Sequence, residues 1–260
     1  MLRAGAASLF ILASATSSLA ADAGVVCSTA VVKRVVDGDT LELESGQRVR
    51  LLGIDTPERG ESMADEASAM LEKLIGSNPL ELISCRDTDP YGRLLSVVRA
   101  DDVNVNVALI REGVALPLLI PPCGSEISDE ILRNASIAAK NGKGLYSGEA
   151  IKVVSHLDAD DHIGSRVMVR GKVLALHRGR KAWHLNFGED YRTDFTAVLF
   201  DEGRSRFREF DIDPGDLVGA EVLVIGKVKR YNGPEIILRG PDQILVLNPD
   251  PVSGSPTGSR

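Results

Sequence analysis

Short apolar runs, cut at close intervals by Gly, Asp, Pro and Ser, leave this chain few folds to choose from. Between Ala30 and Ile54 the runs AVVKRVV, TLELE and RVRLLGI alternate apolar with polar residues, as half-buried strands do, and Ser45-Gly46-Gln47 marks a hairpin turn. Helical signals stand at Ala64–Leu74, Val103–Glu112 and Asp129–Lys140, the last with Asp129 in its first turn and Gly142 beyond its end. The runs LELIS and LLSVVRA read as strands between the first two helices. Strands, helix, strands, helices make an α+β or barrel-plus-helices unit. Beyond the acidic, non-periodic stretch Ser155–Gly164 almost everything is strand: SRVMVRGKVLAL, AWHLNF, DFTAVLF, AEVLVIGKVKR, EIILR and QILVL, with RSRFREFDI as the helical exception. That spacing predicts a second, small all-β barrel.

A chain of 260 residues is long for one core. The expected division is a leader at 1–20, a first domain at 27–150, a linker at 151–164, a β-barrel at 165–247 and a Pro/Gly/Ser-rich disordered tail at 248–260. Residues 1–20 carry one cation, Arg3, a short apolar run and small residues ending Ser18-Leu19-Ala20. This reads as a secretory signal cleaved near Ala20, because the run is too short to span a membrane. The mature protein is therefore expected to be secreted or periplasmic, with no stable membrane insertion, in an oxidising compartment. There the 3 cysteines, Cys27, Cys85 and Cys123, permit one disulfide and a leftover thiol, and spacing does not choose among the pairings. No Cys/His cluster with zinc spacing accompanies them, and the 4 histidines read as surface or barrel residues. The net charge of -7, with the acidic excess in the first half, excludes a protein that coats DNA non-specifically. Aromatics at 4% leave little for stacking platforms. Any nucleic-acid chemistry has to be local.

Two acidic motifs supply such a locality: Val36-Asp37-Gly38-Asp39-Thr40 and Gly53-Ile54-Asp55-Thr56-Pro57-Glu58. Singly, the first also reads as a turn and the second as a helix N-terminus. Together they converge, because a hairpin turn centred on Gly46 and Gln47 sets Asp39 opposite Ile54, next to Asp55. Asp37, Asp39, Asp55 and Glu58 then crowd one rim, and oxygen-only ligands favour Ca²⁺ or Mg²⁺ over zinc. Arg50 and Arg93, within Asp89-Pro90-Tyr91-Gly92-Arg93, are the complementary cations. Along an extended strand Arg50 lies roughly 16 Å from Asp55, so only a curved barrel or a bridging phosphate joins them.

In order and spacing, VVDGDTLEL, RLLGIDTPE, DEASAML, DPYGR and VNVALIREGVA resemble the staphylococcal nuclease (thermonuclease-like) family, over about Cys27 to Gly148. The resemblance implies a five-stranded oligonucleotide-binding (OB-type) barrel with three helices. It also implies a Ca²⁺-dependent nuclease that hydrolyses phosphodiester bonds of DNA or RNA, acting as a monomer. Asp39, Asp55 and the carbonyl of Thr56 resemble the calcium ligands, with Asp37 supporting them. Glu58 resembles the catalytic glutamate, Arg50 and Arg93 the arginines that grip phosphate, and Tyr91 a residue near the nucleotide phosphates. In that fold Cys85 and Cys123 fall in two loops beside the site and are expected to pair, leaving Cys27 free. The segments RGESMAD and LPLLIPP depart from the family's best-known member, being less basic and lacking its tyrosines. The second half resembles an OB-like barrel of the kind fused to nucleic-acid enzymes, with Arg178, Arg180, Lys181 and Trp183 as accessory contacts. From a different class, the competing reading is a catalytically inactive nucleic-acid- or protein-binding OB-fold protein of the envelope.

Overall fold

The computed structural model describes residues 25–121 and 125–248. The expected leader, the expected tail beyond 248 and Cys123 lie outside the described residues. The fold is mixed α+β and mostly strand.

In the first half the strands are β1 (Val25–Ala30), β2 (Val32–Asp37), β3 (Thr40–Leu43), β4 (Arg48–Leu51) and β5 (Gly53–Asp55). Helix α1 (Ala64–Ile75), strands β6 (Leu80–Thr88), β7 (Leu94–Ala100) and β8 (Val103–Asn104), helix α2 (Val105–Arg111), strand β9 (Leu116–Leu118) and helix α3 (Ser128–Lys140) follow. Strands β1-β6-β7-β4-β3-β2, with β8 beside β7, make a seven-stranded sheet in which β4 and β7 run parallel. The helix expected from Val103 starts at Val105 instead. Asn104 turns its side chain back to accept the Val107 N–H, and so caps the helix rather than entering it. Cys85, expected in a loop, stands on β6 opposite Val25 and is buried, whereas Cys27 on β1 is exposed and free.

A fully buried Asn106 ties helix to sheet. Its Oδ1 accepts the Val98 N–H at 2.9 Å, while Nδ2 donates to the Leu52 and Ser96 carbonyls at 2.8 and 3.2 Å. The Ser96 carbonyl also accepts the Leu52 N–H at 2.9 Å, whereas the Val98 N–H and the Leu52 carbonyl rely on the amide.

The second half comprises β10 (Val153–Ser155), β11 (Arg166–Lys172), β12 (Ala175–Arg178), β13 (Trp183–Asn186), β14 (Thr196–Leu199), helix α4 (Asp201–Glu209), β15 (Glu221–Lys227), β16 (Lys229–Arg230), β17 (Pro234–Leu238) and β18 (Ile244–Val246). They form a four-stranded sheet, β10-β11-β15-β18, and a five-stranded sheet, β12-β13-β14-β17-β16. The stretch expected to be irregular is not: β10 pairs in parallel with β11, and residues His156–His162 form a 3₁₀ turn capped by the Ser155 hydroxyl.

The runs VMV, VLVI and ILVL are continuous rather than alternating because their sheet is buried on both faces. Val167, Val169, Val222, Val224 and Ile244 pack into the second half's own core, while Met168, Leu223, Ile225 and Leu245 join the core of the first. The two halves therefore share apolar packing across this sheet. Asp242 sits at the same junction and lines a cleft with Asp55, Leu116 and Arg166. Burial pushes its carboxyl up to about 6, outweighing its own backbone N–H, the Arg206 charge and the Leu119 backbone N–H.

Two outcomes are expected. Asn106→Ala should cost about 3 kcal/mol in urea unfolding, since it removes the side-chain partner of the buried Val98 N–H and Leu52 carbonyl; a loss below about 1 kcal/mol would contradict that account. Asp242 binds its proton more tightly folded than unfolded, so stability should fall as pH rises from about 4 to about 6. Asp242→Asn should accordingly raise Tm at pH 7, by up to about 3 kcal/mol in stability, and the gain should vanish near pH 4.

Candidate active site

The acidic rim is built by a hairpin and a bend. In the hairpin Thr40 stands opposite Arg50, Leu41 opposite Val49 and Glu42 opposite Arg48. Asp39 is thus not opposite Ile54, as a turn centred on Gly46 and Gln47 would have it. The loop closes further back, through a Leu43 N–H to Gln47 carbonyl bond of 2.9 Å, and slides the register. Arg50 is thereby carried beside Asp39.

The bend lies at Gly53, whose φ of +76° belongs to the left-handed region. A Cβ there would stand 2.4 Å from the Ile131 Cδ1 on α3. Through it β5 leaves the large sheet and pairs with β9, Asp55 opposite Leu116. Asp55 consequently turns back on Arg50, whose Nη2 is 3.1 Å from its Oδ1. The Asp55–Glu58 segment caps no helix, since α1 begins only at Ala64, behind a Met63 cap with no side-chain bond.

Asp39 is the hub. It is 6% exposed, and its Oδ2 receives Arg50 Nη1 at 2.7 Å, the Thr56 N–H at 3.1 Å and the Thr56 hydroxyl at 3.0 Å. Its Oδ1 accepts the Thr40 hydroxyl at 3.1 Å, and the Thr40 oxygen in turn accepts Arg93 Nη1 at 3.4 Å. Burial pushes the Asp39 carboxyl up to about 6 against the Arg50 charge and the Thr56 N–H, and the nearby Asp37 carboxylate adds to the rise. Asp37 supports the turn by accepting the Asp39 N–H at 3.2 Å. Gly38 between them admits no Cβ, which would meet Ala67 Cβ and Thr56 Oγ1 at 2.7 Å.

Arg93 is held from its other side by Asp89, Nε to Oδ2 at 2.7 Å. Burial of Asp89 works against its charge, but bonds from the Arg93 backbone and side chain and the Tyr91 N–H outweigh it and keep the carboxyl below its ordinary range. The guanidinium also lies 5.4 Å from the centre of the exposed Tyr91 ring. The result is a chain of groups, Asp89, Arg93, Thr40, Asp39, Arg50 and Asp55, that links both arginines through one buried carboxylate. Glu58 stands apart. It is exposed, its backbone N–H bonds Glu61 Oε2 at 2.9 Å, and its carboxylate has no ion-pair partner among the described residues.

Sequence reasoning missed Thr40 as the link between the arginines, and Lys152 and Arg166 as walls of the neighbouring cleft. That cleft, of about 400 Å³, is lined by Asp55, Thr56, Pro57 and Glu61 from the first half as well. No local pattern marks Arg166, which reaches Asp55 only because the halves pack together. The expected accessory group is not an open platform. Arg178 pairs with Asp213 at 2.7 Å, and the Arg178 and Arg204 guanidiniums lie 5.0 and 5.6 Å from the centre of the Trp183 ring. Arg180 and Lys181 are exposed at the tip of the β12–β13 hairpin.

The family model described as staphylococcal nuclease homologue matches residues 48–148. A thermonuclease from Staphylococcus intermedius is 36% identical over 102 residues, covering 35% of this chain and 61% of that protein. A protein named uncharacterized endonuclease from Escherichia coli is 35% identical over 88 residues, 32% of this chain and 57% of its own. Protein ParB from Escherichia coli is 31% identical over 159 residues, 56% of this chain and 84% of its own. The chain thus spans about three fifths of the length of the first two relatives.

Replacing Gly53 tests the bend. Gly53→Ala should lose about 1–3 kcal/mol in denaturant unfolding, because the methyl group meets both an unfavourable φ and Ile131. A variant as stable as the parent would show that another feature aims Asp55.

Proposed function

The chain belongs to the staphylococcal nuclease homologue family, and from that premise we propose that it is a Ca²⁺-dependent nuclease hydrolysing phosphodiester bonds of DNA or RNA. The observation that carries this reading is the convergence of Arg50 and Arg93 on buried Asp39, with Asp55 on the far side of Arg50. A protein that merely binds strands has no use for two guanidiniums coupled through a desolvated carboxylate.

The donor set is made of hard oxygens, and two carboxylates already converge on one positive charge. Among the described residues no group of three or more His, Cys, Asp or Glu side chains gathers as a cage. Asp39, Asp55 and the Thr56 carbonyl would hold the Ca²⁺ ion, with Asp37 steadying the Asp39 loop. When bound, such an ion supplies Lewis-acid neutralisation of phosphate charge.

Arg50 balances Asp39 and Asp55, and with a dication sharing the charge of those carboxylates its guanidinium would be available to phosphate oxygens. Arg93, kept in place by Asp89 and Thr40, presents its remaining N–H groups to the same phosphate; planar forks of fixed charge suit this task. Glu58, exposed and unpaired, is free to take a proton from the attacking water. Tyr91 lies beside Arg93, where it meets the strand near its phosphates. Lys152 and Arg166 extend the positive lining past Asp55.

We read the second half as a small OB-like accessory barrel that helps to hold substrate. On the strength of residues 1–20 the mature protein is read as secreted or periplasmic, and it is taken to act as a monomer. Among the described residues no helix is long and apolar enough to cross a membrane.

Purified protein should cut denatured DNA or RNA with added Ca²⁺ and stop on chelation. Arg93→Ala and Glu58→Ala should each lower kcat by about 10²–10³-fold, the size of one charge-stabilising contribution. Intact substrate with wild-type protein and Ca²⁺ would refute the nuclease reading; cleavage that survives chelation would refute its metal.

A further inference from the structure

A cavity of about 520 Å³ opens on the five-stranded sheet of the second half, and none of its lining residues belongs to the site above. Its floor is a row of polar side chains set by strand register. Asn186 on β13 stands opposite Thr196 on β14, and Thr196 stands beside Glu235 on β17. His184, two residues before Asn186, shares its face of β13, while Leu185 between them is fully buried in the core.

Three atoms of this floor, His184 Nδ1, Asn186 Oδ1 and Thr196 Oγ1, are shielded from solvent and have no hydrogen-bond partner among the described residues. Thr196 is only 7% exposed. Buried polar atoms are normally paired, and three orphans on one cavity wall are what a built ligand site leaves for its occupant. The walls are two tyrosines, Tyr191 and Tyr231, exposed by 53% and 78% respectively; the Arg192 guanidinium lies 4.9 Å from the centre of the Tyr191 ring, so Tyr231 offers the open face.

The lining also says what does not fit. It contains Asp194 and Glu235 but no Lys or Arg, so a phosphate group is repelled from the interior. Burial raises the Glu235 carboxyl, with Lys229 opposing. The floor therefore offers donors and acceptors along a line, between aromatic faces, to something flat and uncharged.

We propose that this cavity binds one nucleobase of a single-stranded nucleic acid, with its polar edge on Asn186, Thr196 and Glu235 and its ring against Tyr231 and Tyr191. The choice of a nucleobase among planar nitrogen heterocycles rests on the nuclease reading; the existence of the site rests on the orphaned atoms. The phosphates of the strand stay outside the acidic interior.

The test uses the full chain in chelator, so that nothing is cut, with adenosine, guanosine, cytidine and uridine as phosphate-free probes followed by saturation-transfer NMR and calorimetry. At least one nucleoside should bind. Tyr231→Ala, a change at an exposed position, should weaken it about tenfold with Tm unchanged, by loss of stacking. Thr196→Val, nearly isosteric, should weaken it about fivefold, by loss of a hydrogen bond. Both variants should retain the parent's cleavage of a short substrate in Ca²⁺. No nucleoside binding up to the solubility limit, binding of ribose or glucose in its place, or affinities unchanged in both variants would overturn the proposal. Binding and cleavage are read separately. A protein that binds nucleosides but cuts nothing supports the cavity and refutes the nuclease, and one that cuts but binds none does the reverse.

Discussion

A carboxylate buried beside a guanidinium organises the first half of this molecule. Asp39 loses water on burial, a cost that only hydrogen bonds and opposite charge offset. It collects both from Arg50, Thr40 and Thr56. Those bonds dictate neighbouring geometry: the turn before Asp39 needs a glycine to clear Thr56 and Ala67, and Thr56 has to come back against the β2–β3 hairpin. Thr56 can do so only because the chain reverses at Gly53 and pairs β5 with β9. One desolvated charge thus ties hairpin, bend and helix α1 together, and it brings Asp55 to the same cation.

The consequence for chemistry is that the positive groups are placed before any substrate arrives. Arg50 and Arg93 are held by carboxylates and by the Thr40 hydroxyl rather than left to wander, so less ordering is needed when phosphate binds. Glu58 differs in kind, being exposed and unpaired. The second half adds to these surroundings: β15 sends alternate side chains into the two cores, and Lys152, just before β10, and Arg166, at the start of β11, line the cleft at Asp55.

Much of this was legible in the chain as written. The alternation of TLELE and RVRLLGI, the helix formers of ADEASAMLEKL and the continuous apolar runs of the second half all report local geometry, which side-chain periodicity encodes directly. The two acidic motifs put Asp37, Asp39, Asp55 and Glu58 on hand through their residue types alone. The register of the β3–β4 hairpin was not legible, because the turn that sets it closes one pair further back than Ser45-Gly46-Gln47 suggests. The Asn104 cap shortened α2 for a similar reason: a side-chain bond overrode helical propensity.

What the chain's own order of residues decided, then, is the inventory: which segments are strands and helices, and which oxygens and guanidiniums are on hand. Only the folded molecule decided who meets whom. It set Arg50 against both Asp39 and Asp55 by a bend at one glycine, covered Trp183 with two arginines, put Arg166 beside Asp55 and aligned three orphaned polar atoms in a cavity. The reason is physical. Periodicity and propensity act over a few neighbouring residues, whereas register, bends and sheet-on-core packing are settled by contacts between segments far apart along the chain, whose balance no local window contains.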